Sequence, residues 1–353
     1  MMDILLSLPL ISVFFGGGMT SWSTSLNLLF FYMTWSTLVL SHNPLYIELF
    51  GTLGIRLVFF LLPSLVFLFF DTLLPSLSES IKHGGSSALP PRDATALGKT
   101  FLLALANILL ETALEAGTSM GLTVLLGRVP FRASTTLPLP WAIFKQLGLL
   151  YVAREVLAYQ IHRYLLHSHS HSWSRRSPVS SARGWIAKQH ARFGHARSAA
   201  PYSLALAADH PVPFLLLRFA PVYLPALAVR PHLLVYFLFV GLITFEETLT
   251  MSGYTIVPGI IMGGITRRNA THYGAGYKGT SNGNYGAWGV LDWGCGTGMG
   301  GRDIKDDVQG EAQKHQVKER SGRKASDAVG AVQNGIDGIR KSRRKGKRGS
   351  GSD

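Results

Sequence analysis

The sequence predicts an all-α fold: a multi-pass transmembrane helical bundle carrying a histidine-rich cap on its cytosolic side. Three observations predict it. Nearly half of the 353 residues are apolar and only 15% are charged, a balance typical of membrane proteins rather than soluble globules. Apolar runs of spanning length recur along the first 250 residues. Nine of the twelve histidines fall between His162 and His272, mostly in the polar stretches separating those runs.

The elements follow in order. Ile4 to Phe15 is apolar but lacks a basic flank and follows Asp3, so residues 1–17 read as a membrane-associated segment rather than a cleaved signal. "TSLNLLFFYMTWSTLVL" (Thr24–Leu40) and "LYIELFGTLGIRLVFFLLPSLVFLFF" (Leu45–Phe70) come next. The second is long enough to span despite Glu48 and Arg56, and Pro63 is tolerated where neighbours cover the freed carbonyl. Ser76 to Thr100, rich in Gly, Ser and Pro, reads as a loop. Phe101–Leu126 is a further span, with Glu111 and Glu115 four residues apart on one face. Those glutamates suit pairing with Arg56 or Arg154, or the lining of a cavity. Pro138–Ile161 is another span, leading directly into "HRYLLHSHSHSW".

After a polar, basic stretch to His210 come two proline-broken apolar runs, which read as a hairpin, re-entrant or fully crossing. Two crossings return the chain to its starting face, so "RRNATHY" meets the first histidines. Arg267 and Arg268 agree with a cytosolic placement. Beyond Gly300 the chain is polar and charged and reads as a disordered basic cytosolic tail over 301–353, ending in "RKSRRKGKRGSGSD". Residues 1–100 then hold the N-terminal spans and polar loop, and 101–300 the main membrane domain.

The formal charge of +14 gathers largely in that tail and in loops flanking apolar runs. It points to anionic lipid rather than nucleic acid, for which no motif is present. The single cysteine, Cys295, excludes an intrachain disulfide and any cysteine-rich zinc or iron–sulfur site. A metal must therefore be held by histidine and carboxylate, and clustered neutral imidazoles suit a transition metal.

Residues five apart diverge on a regular helix, so His162 and His167 cannot face one ion there. Either the helix ends or bulges near Tyr164, or the two serve different ions. His169 and His171 lie in "SHSHS", which reads as readily as a solvated loop. His232 reads as a capping or packing residue, and His42, His83 and His315 as isolated. Glu246 and Glu247, near a membrane exit, suit structural pairing better than ligation.

At "HRYLLHS", "HARFGHARSAAPYSLALAADHPVPFLLLRFAPVYLPA", "EETLTMSGYTIVPGIIMGGITRRNATHY" and "GNYGAWGVLDWGCGT" the chain resembles the fatty acid hydroxylase/sterol desaturase superfamily, especially its fungal branch. The likeness covers roughly Ala142 to Met299. It implies an endoplasmic-reticulum membrane protein whose cytosolic cap holds two irons with about eight histidines. Activated oxygen there attacks a C–H bond of a lipid, with electrons drawn from a reductase through a b-type cytochrome.

Carried over by position, the implied ligands are His162, His167, His190, His195, His210 and His272. His169 and His171 are further candidates, and Asp209 and Asp292 are candidates to orient the rings. The family's pattern is incomplete. His195 is followed by Ala196 rather than a second histidine, Ala207 stands where another is expected, and "RRNATHY" supplies only His272. The leading reading is thus a di-iron oxygenase that hydroxylates or desaturates a sterol, sphingoid or fatty acyl chain. A non-catalytic relative serving lipid binding or complex assembly is the alternative. A single-zinc hydrolase is disfavoured, because no HExxH string occurs.

Overall fold

The computed structural model describes residues 22–167, 178–195, 201–257, 262–274, 283–299 and 309–310. The chain separates into two units, Met1–Gly301 and Arg302–Asp353. Only Gln309 and Gly310 of the second are described. The rest of the predicted tail and the apolar run Ile4–Phe15 lie outside the described residues.

The described part is helical, without a strand and with two isolated bridges. Its helices are α1 (Trp22–Ser41), α2 (Pro44–Leu73), α3 (Pro75–Ile81), α4 (Ala94–Leu126), α5 (Pro140–Ile161), α6 (Pro178–Phe193), α7 (Pro211–Val229), α8 (Leu233–Met251), α9 (Met262–His272) and α10 (Val290–Gly294). Four of them, α2, α4, α7 and α8, are long and apolar enough to cross a membrane. Their outward faces, and those of α1 and α5, carry exposed Phe30, Phe50, Leu62, Leu102, Val124 and Phe144. So much open apolar surface belongs against lipid.

Local chemistry sets the ends. Asn43 caps α2 by accepting from Leu45 N, and Asp93 caps α4 by accepting from Thr95 N and Ala96 N. Gly127, at φ 65°, closes α4 in the left-handed region. A π turn at Leu57–Leu61 precedes Pro63 and absorbs the kink that a mid-helix proline imposes.

Two sequence expectations need correcting. Ser76–Thr100 is not simply a loop: α3 covers its first residues, up to Ile81, a 3-10 turn covers Gly85–Ala88, and α4 begins at Ala94. Asp93 starts that helix seven residues before the apolar run, so a junction at 100/101 falls inside α4. Pro138–Ile161 does form a helix, but α5 is not among the four apolar enough to span, because it includes Lys145, Arg154 and Glu155.

Two large apolar clusters make up most of the core among the described residues. Around the α7–α8 turn, Trp35, Ile47, Phe131, Leu150, Tyr223, Tyr236 and Phe239 pack together. Toward the other end, Phe60, Ile108, Tyr202, Leu204, Leu206, Phe214 and Met251 do so. Inside a bilayer apolar packing alone discriminates weakly, and polar groups act as glue. Here Arg56 donates to Thr112 (3.0 Å), Glu111 (3.1 Å) and Glu115 (2.7 Å), and Tyr236 donates to Glu115 (2.5 Å). Glu247 accepts from Arg154 and Arg218. Both glutamate groups are therefore tied up in pairing. His232 caps α8, accepting from Leu234 N at 3.2 Å, with its ring 5.7 Å from that of Trp35.

Candidate metal centre

The site forms where α5 runs out of its regular turn. Residues 162–166 continue α5 as a π turn, and His167 N donates to His162 O at 3.0 Å, an i to i+5 bond. The widened turn places residues five apart above one another, so the rings of His162 and His167 come within 4.9 Å. The bulge at Tyr164 is thus the resolution of the spacing conflict.

The second pair closes differently. His190 is in the last turn of α6, and Gly194 N and His195 N both turn back to its carbonyl (2.8 and 3.3 Å). A Cβ on Gly194 would lie 3.0 Å from the His190 ring, so the residue there must be small for His195 to fold back. The two rings then stand 4.9 Å apart. The α7–α8 hairpin brings α9 to the same end, where His272 lies 4.7 to 4.9 Å from the rings of His162, His167 and His195. Ligand atoms of His162, His167, His190 and His195 all lie within 4.8 Å of one another.

Ring orientation is fixed from outside. His162 Nδ1 donates to Tyr285 O (2.9 Å), His272 Nδ1 to Gly283 O (2.7 Å), and His190 Nδ1 to Asp209 Oδ2 (2.6 Å). A carbonyl or carboxylate oxygen can only accept, so the proton of each neutral ring sits on Nδ1 and the lone pair on Nε2. All three Nε2 atoms are buried without a hydrogen-bond partner. Three orphaned acceptors in one place would each cost roughly 1–3 kcal/mol. A cation between them removes that cost, so these residues fit a bound metal. His195 Nε2 also faces His167 Nε2 at 3.2 Å.

Burial, with the neighbouring imidazoles adding to it, holds His162 and His195 far below the ordinary histidine range. Burial lowers His272 to about 4. Neutral imidazole is the form that ligates.

The remaining candidates fall as follows. Asp209 touches His190, and Asn107 of α4 fixes that segment by donating to Ala207 O (2.7 Å) and Asp209 O (2.8 Å). Asp292 touches no histidine. It accepts from Tyr285 N, Gly286 N and Thr297 Oγ1 at 2.7 to 2.9 Å, bracing the strip whose carbonyls hold His162 and His272. Gly286 passes so close that a Cβ would lie 2.8 Å from Glu155 Oε1 and 3.0 Å from Asp292 Oδ2. His210 is not brought into the cluster: its Nδ1 accepts from Val212 N (3.2 Å) as the cap of α7, and its ring packs against Trp185 and Phe193. Proline at the next position favours this capping role. Ala207 is buried in the apolar core. His169, His171 and Ala196 lie outside the described residues.

Sequence reasoning missed the carbonyls of Gly283 and Tyr285, since main-chain acceptors leave no trace in residue type. It also missed Tyr273, stacked on His195 at 4.9 Å. Asn107 did leave a signal, as an amide inside an apolar run.

A cavity of about 590 Å³, open mouth included, is lined by His162, His272, Tyr273, Asn269, Tyr285 and Arg154. A second of about 490 Å³ lies within the bundle among Phe60, Ile108, Phe214, Val240 and Ile243. They share Leu206, Arg218 and Glu247 as wall. The family model for fatty acid hydroxylases matches residues 147–297, a stretch that holds all five clustered histidines and both bracing aspartates. That match supports the fatty acid hydroxylase/sterol desaturase superfamily for this region of the chain. No solved structure gives a significant match. Helices α1, α2 and α4 lie outside the matched region, yet α2 and α4 supply walls of the bundle cavity and α4 the Asn107 tether.

Proposed function

We propose that this chain is a membrane-bound, iron- and O2-dependent oxidoreductase that hydroxylates or desaturates a lipid: a sterol, a sphingoid or a fatty acyl chain. One observation carries the reading. Three buried imidazoles, each with Nδ1 committed to an oxygen, turn unpartnered Nε2 atoms toward one centre beside a cavity. Iron held by His162, His167, His190, His195 and His272 would supply activation of O2. The chain's own residues position that chemistry. Asp209, Gly283 and Tyr285 lock the rings by accepting from Nδ1, as hydrogen-bond partners behind metal-ligating histidines do. Apolar side chains of the bundle cavity suit a hydrocarbon, and their adjacency to the histidine cavity lets a lipid approach from the bilayer side.

The histidine end faces the cytosol in this proposal, at the endoplasmic reticulum, where a b-type cytochrome and its reductase supply electrons. Basic Arg267 on α9 and the basic tail support that side. Asn269 begins an N-A-T sequon and lines the histidine cavity. It is expected to stay unglycosylated, and a sugar found on it by mass spectrometry would place this end in the lumen. A second reading, a non-catalytic lipid-binding relative, draws on Ala207, which is buried among apolar side chains where the family pattern has a ligand. Metal analysis of detergent-purified protein, with lipidomics of cells carrying or lacking the chain, decides between them. Bound iron with a new oxidised or unsaturated lipid supports the oxygenase; no metal and no change support the relative.

A further inference from the structure

We infer that the histidine centre is built for one metal ion, not for the pair that the family resemblance implies; the inference rests on the metal-dependent reading above. Two donors across a single ion stand about 4.2 Å apart when each bond is about 2.1 Å. Four ligand atoms, from His162, His167, His190 and His195, all lie within 4.8 Å of one another. Such atoms fit one coordination sphere. Donors shared between two ions would have to spread into two groups, each centred on its own ion. A fifth ring, His272, lies beside this group, its centroid within 4.9 Å of three of the others and its Nε2 unpartnered.

A second ion would need donors of its own, and among the described residues the histidine and carboxylate side chains nearby already hold other partners. His210 caps α7 through Nδ1, with its ring against Trp185 and Phe193. Glu247 is shared by Arg154 and Arg218. Glu246 accepts from Trp288 Nε1 at 3.1 Å, and Glu155 accepts from Trp288 N at 3.0 Å through Oε1 while its Oε2 lies 3.6 Å from Arg154 Nη1. Asp209 is bound to His190, and Asp292 to the strip around Tyr285. Five imidazoles around one ion leave at most one place in an octahedral sphere, facing the cavity that His162 and His272 line.

The test is titration of the full-length, detergent-solubilised, metal-stripped chain with cobalt(II), followed by visible absorption. Iron content of the unstripped protein by elemental analysis accompanies it. Saturation at one cobalt and no more than one iron per chain is the expected result, with His210→Ala also saturating at one. Saturation at two, or a fall from two to one in His210→Ala, overturns the single-ion inference while leaving the oxygenase reading intact. No binding of either metal by folded protein overturns both. His272→Ala, which removes the fifth donor, is expected to weaken cobalt binding and change its spectrum; an unchanged spectrum excludes His272 from the sphere and overturns the five-donor geometry.

Discussion

Two of the dense polar clusters among the described residues are finished differently. Around Arg56, within the apolar helices, Thr112, Glu111, Glu115 and Tyr236 close on one another until no atom of the group is buried without a partner. Around His162, three rings have Nδ1 satisfied by an oxygen, while the Nε2 atoms of the same rings are left open. Both clusters sit where polarity is expensive. The completed one holds helices together; the open one awaits something the chain does not itself contain. Between these two clusters, satisfaction more than burial or charge marks the difference.

The sharpest way to break this contrast is His162→Ala. Metal content and lipid product are expected to fall to background, while the metal-free chain loses only about 1–2 kcal/mol for a vacated ring and an orphaned carbonyl. Arg56→Ala should do the reverse. Removing one member of a buried ion-pair group costs roughly 3–5 kcal/mol, seen as an early thermal transition in detergent, with metal per folded chain unchanged. If both variants unfold alike, the histidines are scaffold too. Asp209→Asn tests the outer shell: it weakens the hold on His190 and should reduce metal affinity by about 10–100-fold, with little change in unfolding. The smallest effect on metal binding is expected from Gly283→Ala. Its Cβ would meet Thr297 O at 2.4 Å and push the carbonyl that steadies His272. A loss of about 1–3 kcal/mol and a few-fold weaker metal binding follow, both readable by metal-dependent thermal shift.

The helical, membrane-embedded character was legible because spanning helices need long apolar runs, and Leu45–Phe70 or Phe101–Leu126 leave no other interpretation. The convergence of His162, His190 and His272 was legible through topology, since the α7–α8 hairpin returns the chain to one end. Other features were hidden for stated reasons. Asp93 starts α4 by a side-chain cap that one residue type in a Pro- and Ser-rich stretch does not announce. Charges at Arg154 and Glu155 drop α5 from the spanning set although its outward face is apolar. His210 looks like a ligand by position, but its neighbour Pro211 makes it a helix cap. Main-chain oxygens at positions 283 and 285 orient two rings, and no side-chain pattern encodes them.

The π turn at His162–Leu166 carries one residue beyond what an ordinary helix would use for the same rise. Drop any one of the four residues between the two histidines, and the rings would stand at i and i+4, a spacing that a plain α-helix already serves. This centre therefore lies a single codon away from a simpler version of itself, and the surplus residue was taken up by helical geometry rather than pushed out into a loop.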